Sequence, residues 1–318
     1  MEFSLQQAAQ FLMESDDIHI LCHRNPDGDT LGSAYALWNA LRNLGKHAAV
    51  RCNDPISSKL SFLANGYQEE MFSPKTIVSV DIADEQLFGD GLSPYLGKVQ
   101  LAIDHHPSHT YFAENTYLEA DSAATCEIIC LLIREMKAEI TPQIANCLYT
   151  GMATDTGCFK FSNTTPRTHR LAADMMEAGC DYAEIGKRIF DTKSRGEFAI
   201  EREALNNMEI HFEGKVALIV LTQDMYERCQ ISEAEADGLT SLPRKLEGVE
   251  VGITIKERGC REYKVSMRSV ERVNVSELCR QFGGGGHMRA AGFTAYGTLD
   301  EVKTLILGAV GRALEENP

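Results

Sequence analysis

Along the first half of the chain, short β-rich apolar runs alternate with longer stretches of helical period. The runs IHILCH (18–23), HAAVRCN (47–53), TIVSVD (76–81) and VQLAID (99–104) each end in a polar residue. A polar turn, NPDGDT, follows the first run and leads into a helical pattern through SAYALWNALRNLG that stops at Gly45. Further helices are predicted at 122–137, at 142–153 with Pro142 in the first turn, and at 166–179 between Pro166 and Gly179. Strand–helix alternation of this kind predicts an α/β domain on a mainly parallel sheet.

The pattern changes after residue 190. Residues 194–210 are charged and helix-favouring and read as a connecting helix. Strands are predicted at 215–221, 249–257 and 262–269, then a helix at 274–282, four glycines at 283–286 and a last helix at 298–316. The expected organisation is a first domain over 1–190, a connecting helix within 191–213, and a smaller α/β domain over 214–318.

Composition supports a folded chain. Of 318 residues, 44% are hydrophobic and 24% charged, which argues against disordered and fibrous classes. The net charge of -15 excludes a broad basic face for long duplex DNA. That charge is uneven: residues 1–214 carry -14, residues 215–318 carry -1, and residues 256–289 alone carry +4. The ten cysteines contain no CxxC pair and read as structural thiols. The first residues show no signal-peptide pattern, and no apolar run is long enough to span a bilayer. A reduced cytoplasm is the expected location.

The acids and histidines fall at strand ends. His23, Asp27 and Asp29 follow the first strand, Asp81 ends the third, and Asp104-His105-His106 follow the fourth. Ligands in open α/β sheets bind beyond the carboxyl ends of strands, so these residues should share one crevice. Asp155, in TDTG, is a candidate fourth contributor. Carboxylates gathered this way repel one another unless a divalent cation relieves them. Carboxylate and imidazole donors without thiolate favour manganese or a similar ion. The donors exceed what one ion needs and suit two, roughly 3.5–4 Å apart and sharing a carboxylate.

The second domain has its own signal. Gly284, Gly285 and Gly286 lie in a run that permits close backbone approach, and His287 follows at an expected helix start, where an anion is favoured. Arg268, near a strand end in SMRS, suits bidentate phosphate binding. Together with the basic segment they suggest a phosphate or nucleotide clamp.

These motifs resemble the DHH family of phosphoesterases. The matching residues are HRNPDGD (23–29), Asp81 in VDIAD, DHH (104–106), TDTG (154–157) and GGGGHMRAAG (283–292). The resemblance spans nearly the whole chain and implies a parallel-sheet catalytic domain facing a C-terminal DHH-associated domain across a cleft. Within the family the chain is most similar to short two-domain members of the nano-RNase A type. Those degrade very short RNAs, and many dephosphorylate 3'-phosphoadenosine 5'-phosphate (pAp). RecJ-type exonucleases share the motifs but are longer. Carried over residue by residue, the pattern implies that His23, Asp27 and Asp81 hold one manganese. Asp29, Asp81, His105 and Asp155 would hold another, with Asp81 bridging. Asp104 would orient a histidine, His106 would sit beside the reacting phosphate, and Arg268 and His287 would bind substrate.

The expected activity is hydrolysis of short oligoribonucleotides and pAp through a water of lowered pKa, with His106 stabilising phosphate charge or protonating the leaving oxygen. Rival readings are a phosphodiesterase acting on cyclic di-AMP or pApA, a catalytically dead nucleotide-binding regulator, and an inorganic pyrophosphatase. Expected partners are short RNA or small phosphorylated nucleotides, with no membrane; the family leaves room for a homodimer.

Overall fold

The computed structural model describes residues 1–316, which divide into two compact units, Met1–Thr192 and one beginning at Lys193. The first unit runs α1 (Leu5–Glu14), β1 (Ile18–Leu21), α2 (Gly28–Asn43), β2 (Ala48–Arg51), β3 (Thr76–Val80), β4 (Leu101–Asp104) and β5 (Asn115–Leu118). Helices α3 (Thr125–Glu135), α4 (Pro142–Asp155), α5 (Pro166–Glu177) and α6 (Tyr182–Gly186) complete it. The sheet order is β2-β1-β3-β4-β5, and every pairing is parallel. Strands β1, β3 and β4 are buried along their whole length, as a parallel sheet covered by helices requires.

Helix α2 is the pivot of this unit. Asp27 caps its N-terminus, accepting from the backbone N–H groups of Asp29 and Thr30 at 2.9 and 3.1 Å. The helix is buried on nearly every face because the sheet, α3 and α4 all pack on it. Glycine makes the approach of α4 possible. A Cβ on Gly28 would lie 2.4 Å from Thr154 Oγ1, and one on Gly32 would lie 2.5 Å from the Cys147 carbonyl oxygen. Pro142 and Pro166 each occupy a first helical turn, as the sequence predicts, and each follows a threonine cap.

The second unit runs α7 (Arg195–Asn206), β6 (Glu209–His211), β7 (Val216–Leu221), α8 (Gln223–Cys229), β8 (Val251–Gly259), β9 (Glu262–Ser269), α9 (Val275–Arg280), β10 (Gly285–His287), β11 (Ala290–Tyr296) and α10 (Leu299–Glu316). Its sheet order is β10-β11-β9-β8-β7-β6, with only β7 and β8 parallel. Alternation along β7 serves two cores at once. Val216 and Leu218 pack with Ile306 and Val310 of α10, while Ile219 and Leu221 pack with Ile200 and Ala204 of α7. The helix read as a connector therefore covers one face of this sheet.

One expectation fails here. His287 does not open a helix: Gly285–His287 form an edge strand that pairs antiparallel with β11. Strand β11 has the alternation of a half-buried strand, with Ala291, Phe293 and Ala295 inward and Thr294 and Tyr296 exposed. It draws the glycine run into the sheet. A Cβ on Gly284 would meet the Gly292 carbonyl oxygen at 2.2 Å, and one on Gly286 the Ala290 carbonyl oxygen at 2.5 Å. The glycines thus permit close strand packing, and the anion site of a helix start is absent at this position. No described helix is long and apolar enough to cross a membrane.

Candidate metal centre

The carboxyl ends of β1, β3 and β4 bring the acids and histidines of the first unit together, as their place in the sequence predicts. Asp81 is the focus. It follows β3 directly and adopts a φ of 60°, a left-handed conformation uncommon outside glycine. Its two oxygens face different partners. His23 Nε2 lies 3.7 Å from Oδ2, and His105 Nε2 and His106 Nδ1 each lie 3.7 Å from Oδ1. On the first side, His23 Nε2 is also 3.7 Å from Asp27 Oδ1. On the other, His105 Nε2 is 3.4 Å from Asp155 Oδ2 and 4.0 Å from Asp29 Oδ2.

Each histidine is oriented from behind. His23 Nδ1 lies 2.8 Å from the Arg24 carbonyl oxygen, and His105 Nδ1 lies 3.0 Å from that of Ser122. A carbonyl only accepts, so both Nδ1 atoms carry a proton and both Nε2 atoms face the carboxylates. His106 is held differently, with Nδ1 donating to Asp104 Oδ1 at 2.7 Å. Asp104 is fully buried and also accepts from the His105 backbone N–H at 2.8 Å.

Helix α3 supplies further support that the sequence did not reveal. Its first two N–H groups, on Thr125 and Cys126, donate to the two oxygens of Asp29 at 2.6 and 2.9 Å. The Thr125 hydroxyl donates to Asp81 Oδ1 at 2.9 Å. Arg167 of α5 donates to Ser122 Oγ at 2.6 Å and to the fully buried Glu127 at 3.0 Å, and it pairs with Glu119. Arg24 and Leu87, also unforeseen, line the cavity of about 300 Å³ in front of His23, Asp81, His106 and Asp155.

The electrostatics follow from crowding. Burial first, then the Asp81 charge, pushes Asp29 up to about 7. Burial also raises Asp81 to about 7, with Asp27 adding to it. Asp155 rises to about 9 through burial and its acidic neighbours Asp29 and Asp27. Burial works against charge on His23, but Asp27 and Asp81 outweigh it and lift His23 to about 11. His106 likewise rises to about 9 against burial, chiefly through Asp104.

These groups fit a divalent cation. Ligand atoms of His23, Asp27 and Asp81 lie within 4.8 Å of one another, as do those of Asp29, His105 and Asp155, and those of Asp81, His105 and His106. His105 Nε2 is buried without a hydrogen-bond partner among the described residues, a donor aimed at nothing but carboxylates. The donors are imidazole and carboxylate, a set suited to ions harder than those bound by thiolate.

In the second unit, Arg268 on β9 stands opposite Ala290, which in turn stands opposite His287 on β10. Directly opposed residues share a sheet face, so Arg268 and His287 project to one side about 10 Å apart, two strand spacings. Gly285 beside them has open space where a Cβ would be, unlike Gly284 and Gly286.

Comparison with known proteins agrees with this layout. The N-terminal domain of the DHH family matches residues 17–152, and the DHHA1 domain matches residues 217–316. The chain is 32% identical over 306 residues to the bifunctional oligoribonuclease and PAP phosphatase NrnA of Thermus thermophilus, covering 93% of this chain and 90% of that protein. A protein of the same description from Mycoplasma genitalium is 26% identical over 296 residues, covering 91% and 92% of the two chains. The crystal structure of an exopolyphosphatase-related protein from Bacteroides fragilis superposes with a TM-score of 0.87 over 98% of this chain and 95% of that one, at 24% identity, which shows the shared fold. With both domain matches in order and a relative at 32% identity along nearly its whole length, the chain belongs to the DHH family.

Proposed function

We propose that the chain is a phosphoesterase dependent on two divalent ions, manganese by preference, that hydrolyses short oligoribonucleotides to mononucleotides and pAp to AMP. The observation that carries this reading is the division of the Asp81 carboxylate, Oδ2 towards His23 and Oδ1 towards His105. One carboxylate between two donor groups suits a pair of cations. His23, Asp27 and Asp81 would hold one, and Asp29, Asp81, His105 and Asp155 the other. Bound there, the pair would supply a water of lowered pKa and charge neutralisation at the phosphate.

The remaining work falls to side chains. Asp104 fixes the His106 ring through Nδ1, which leaves Nε2 for the substrate. From there His106 Nε2 would stabilise charge on the phosphate or protonate the leaving oxygen. Arg268 and His287, on one face of the second sheet, bind a substrate phosphate, and Gly285 leaves room for close approach. The names of the Thermus and Mycoplasma relatives support the choice of short RNA and pAp.

The deciding experiment is a manganese-supplemented panel of pAp, RNAs of two to five nucleotides, pApA and cyclic di-AMP, with rates compared side by side. Fastest turnover of short RNA and pAp is expected. Preference for cyclic di-AMP or pApA would replace the substrate assignment, and no turnover of any member would favour a nucleotide-binding regulator.

A further inference from the structure

Helix α7 turns an unusual face to solvent. Arg195, Phe198, Ala199 and Arg202 recur at i, i+3, i+4 and i+7, the spacing of one helix face. The opposite face is anchored: Ile200 and Ala204 are fully buried against Ile219, Leu221 and Tyr226. Gly196 adds to this, since a Cβ there would come within 2.8 Å of the Cys229 carbonyl oxygen. Packing therefore fixes the rotation of the helix. The Arg–Phe–Arg face is held outward, and with Lys193 it lines a cavity of about 370 Å³.

The two arginines on this face make no close ion pair. The helix carries three acids, and each is engaged elsewhere. Glu197 closes the capping box with Ser194, Glu201 pairs with Lys193, and Glu203 pairs with Arg228 at 2.6 Å. Among the described residues, no carboxylate lies within ion-pair distance of Arg195 or Arg202. Phe198 is 63% exposed, with the Lys193 ammonium 5.8 Å from its ring centroid. In a chain of net charge -15, two arginines outside any close ion pair beside an exposed aromatic ring are a local exception. An apolar protein partner would gain nothing from the arginines. An inorganic anion would gain nothing from the ring. A single-stranded nucleic acid uses both, with a base on the ring and phosphates at the guanidiniums.

We propose that this face of α7 binds single-stranded RNA, one base stacking on Phe198 while Arg195 and Arg202 neutralise the flanking phosphates. None of these residues belongs to the candidate metal centre, so the face serves to hold the strand. The choice of RNA rests on the proposed function; the anion-binding character of the face does not.

The test is fluorescence anisotropy of a labelled five-nucleotide oligoadenylate with the full chain in EDTA, where turnover is suppressed. Because these side chains are exposed, the variants should fold, and circular dichroism checks that. Phe198→Leu keeps apolar bulk but removes the π face, and affinity should fall roughly 5- to 150-fold, the range for loss of one base stack. Phe198→Trp should restore it. Arg195→Ala with Arg202→Ala should weaken binding and flatten its salt dependence. Wild-type affinity in Phe198→Leu and in the double arginine variant would overturn the proposal. So would a change of oligomeric state in the variants on size exclusion, which would make the face a contact between copies. RNA binding lost in the variants, with no turnover of short RNA by the wild type, would refute the proposed function and leave this site standing. Turnover of short RNA with unaltered binding in the variants would do the reverse.

Discussion

The imidazole of His105 points its Nδ1 at the carbonyl oxygen of Ser122, 3.0 Å away, and this contact decides which nitrogen faces the carboxylates. Ser122 is held in turn by Arg167 through its hydroxyl at 2.6 Å. The guanidinium also bonds Glu127, which is fully buried and would otherwise be an uncompensated charge.

Arg167→Ala should therefore weaken binding of manganese, by roughly 10- to 100-fold as for other outer partners of metal-bound histidine, and lower the melting temperature. Arg167→Lys restores charge but not the planar fork, so it should recover stability better than affinity. Isothermal titration with Mn²⁺ reads the effect. Wild-type affinity in Arg167→Ala would rule out this bracing role.

Asp81→Asn should abolish most turnover, by more than about 100-fold, because the carboxylate proposed to be shared by two cations loses its charge. The backbone should not resist, since Asn tolerates the left-handed φ of 60° found there. Removing one buried charge also relieves the repulsion that raises Asp29, so the metal-free variant should melt no lower than the wild type. Near-wild-type turnover with manganese present would sink the two-cation assignment.

Stability of the metal-free protein should fall as pH rises. Asp29 and Asp81 are raised to about 7 and Asp155 to about 9, so the folded state holds their protons more tightly than the unfolded chain does. Their contribution is complete below about pH 4 and is lost as pH climbs through 7 to 9. His106 and His23, raised to about 9 and about 11, act in the same direction from about pH 6.5 upward. A bound cation replaces those protons. The rise in melting temperature caused by Mn²⁺ should be larger at pH 8 than at pH 6, and differential scanning fluorimetry showing the opposite order would contradict this account.

Gly151→Ala tests how α4 sets the site. The added Cβ would lie 2.2 Å from Cys126 Sγ and 2.6 Å from Asp29 Oδ1. Overpacking of this kind costs about 1–3 kcal/mol, and here the group displaced is a candidate ligand. Metal affinity should drop along with the melting temperature. Loss of stability with unchanged affinity would show that Asp29 accommodates the methyl group freely.

Arg268→Ala should raise KM for short RNA with a smaller change in kcat, as expected for lost binding contacts. An unchanged KM would remove Arg268 from the substrate site.

The sequence by itself determined the strands β1 to β4, the helices α2, α3, α4 and α5, and the placement of His23, Asp81 and Asp104 at strand ends. Those features are local: a run's period sets its conformation, and a parallel strand's carboxyl end sets where its next residue points. Tertiary structure decided what local pattern does not encode. Asp29 and Asp155 meet only because Gly28, Gly32 and Gly151 let α2 and α4 approach closely. The unshared faces of His105 and His106 are set by Ser122 and Asp104, and Arg167 reaches that scaffold from α5. His287 looked like a helix start because four glycines and a polar residue are ambiguous alone. Pairing with β11 resolved it into a strand, since backbone groups there gain a ladder that the local sequence does not specify.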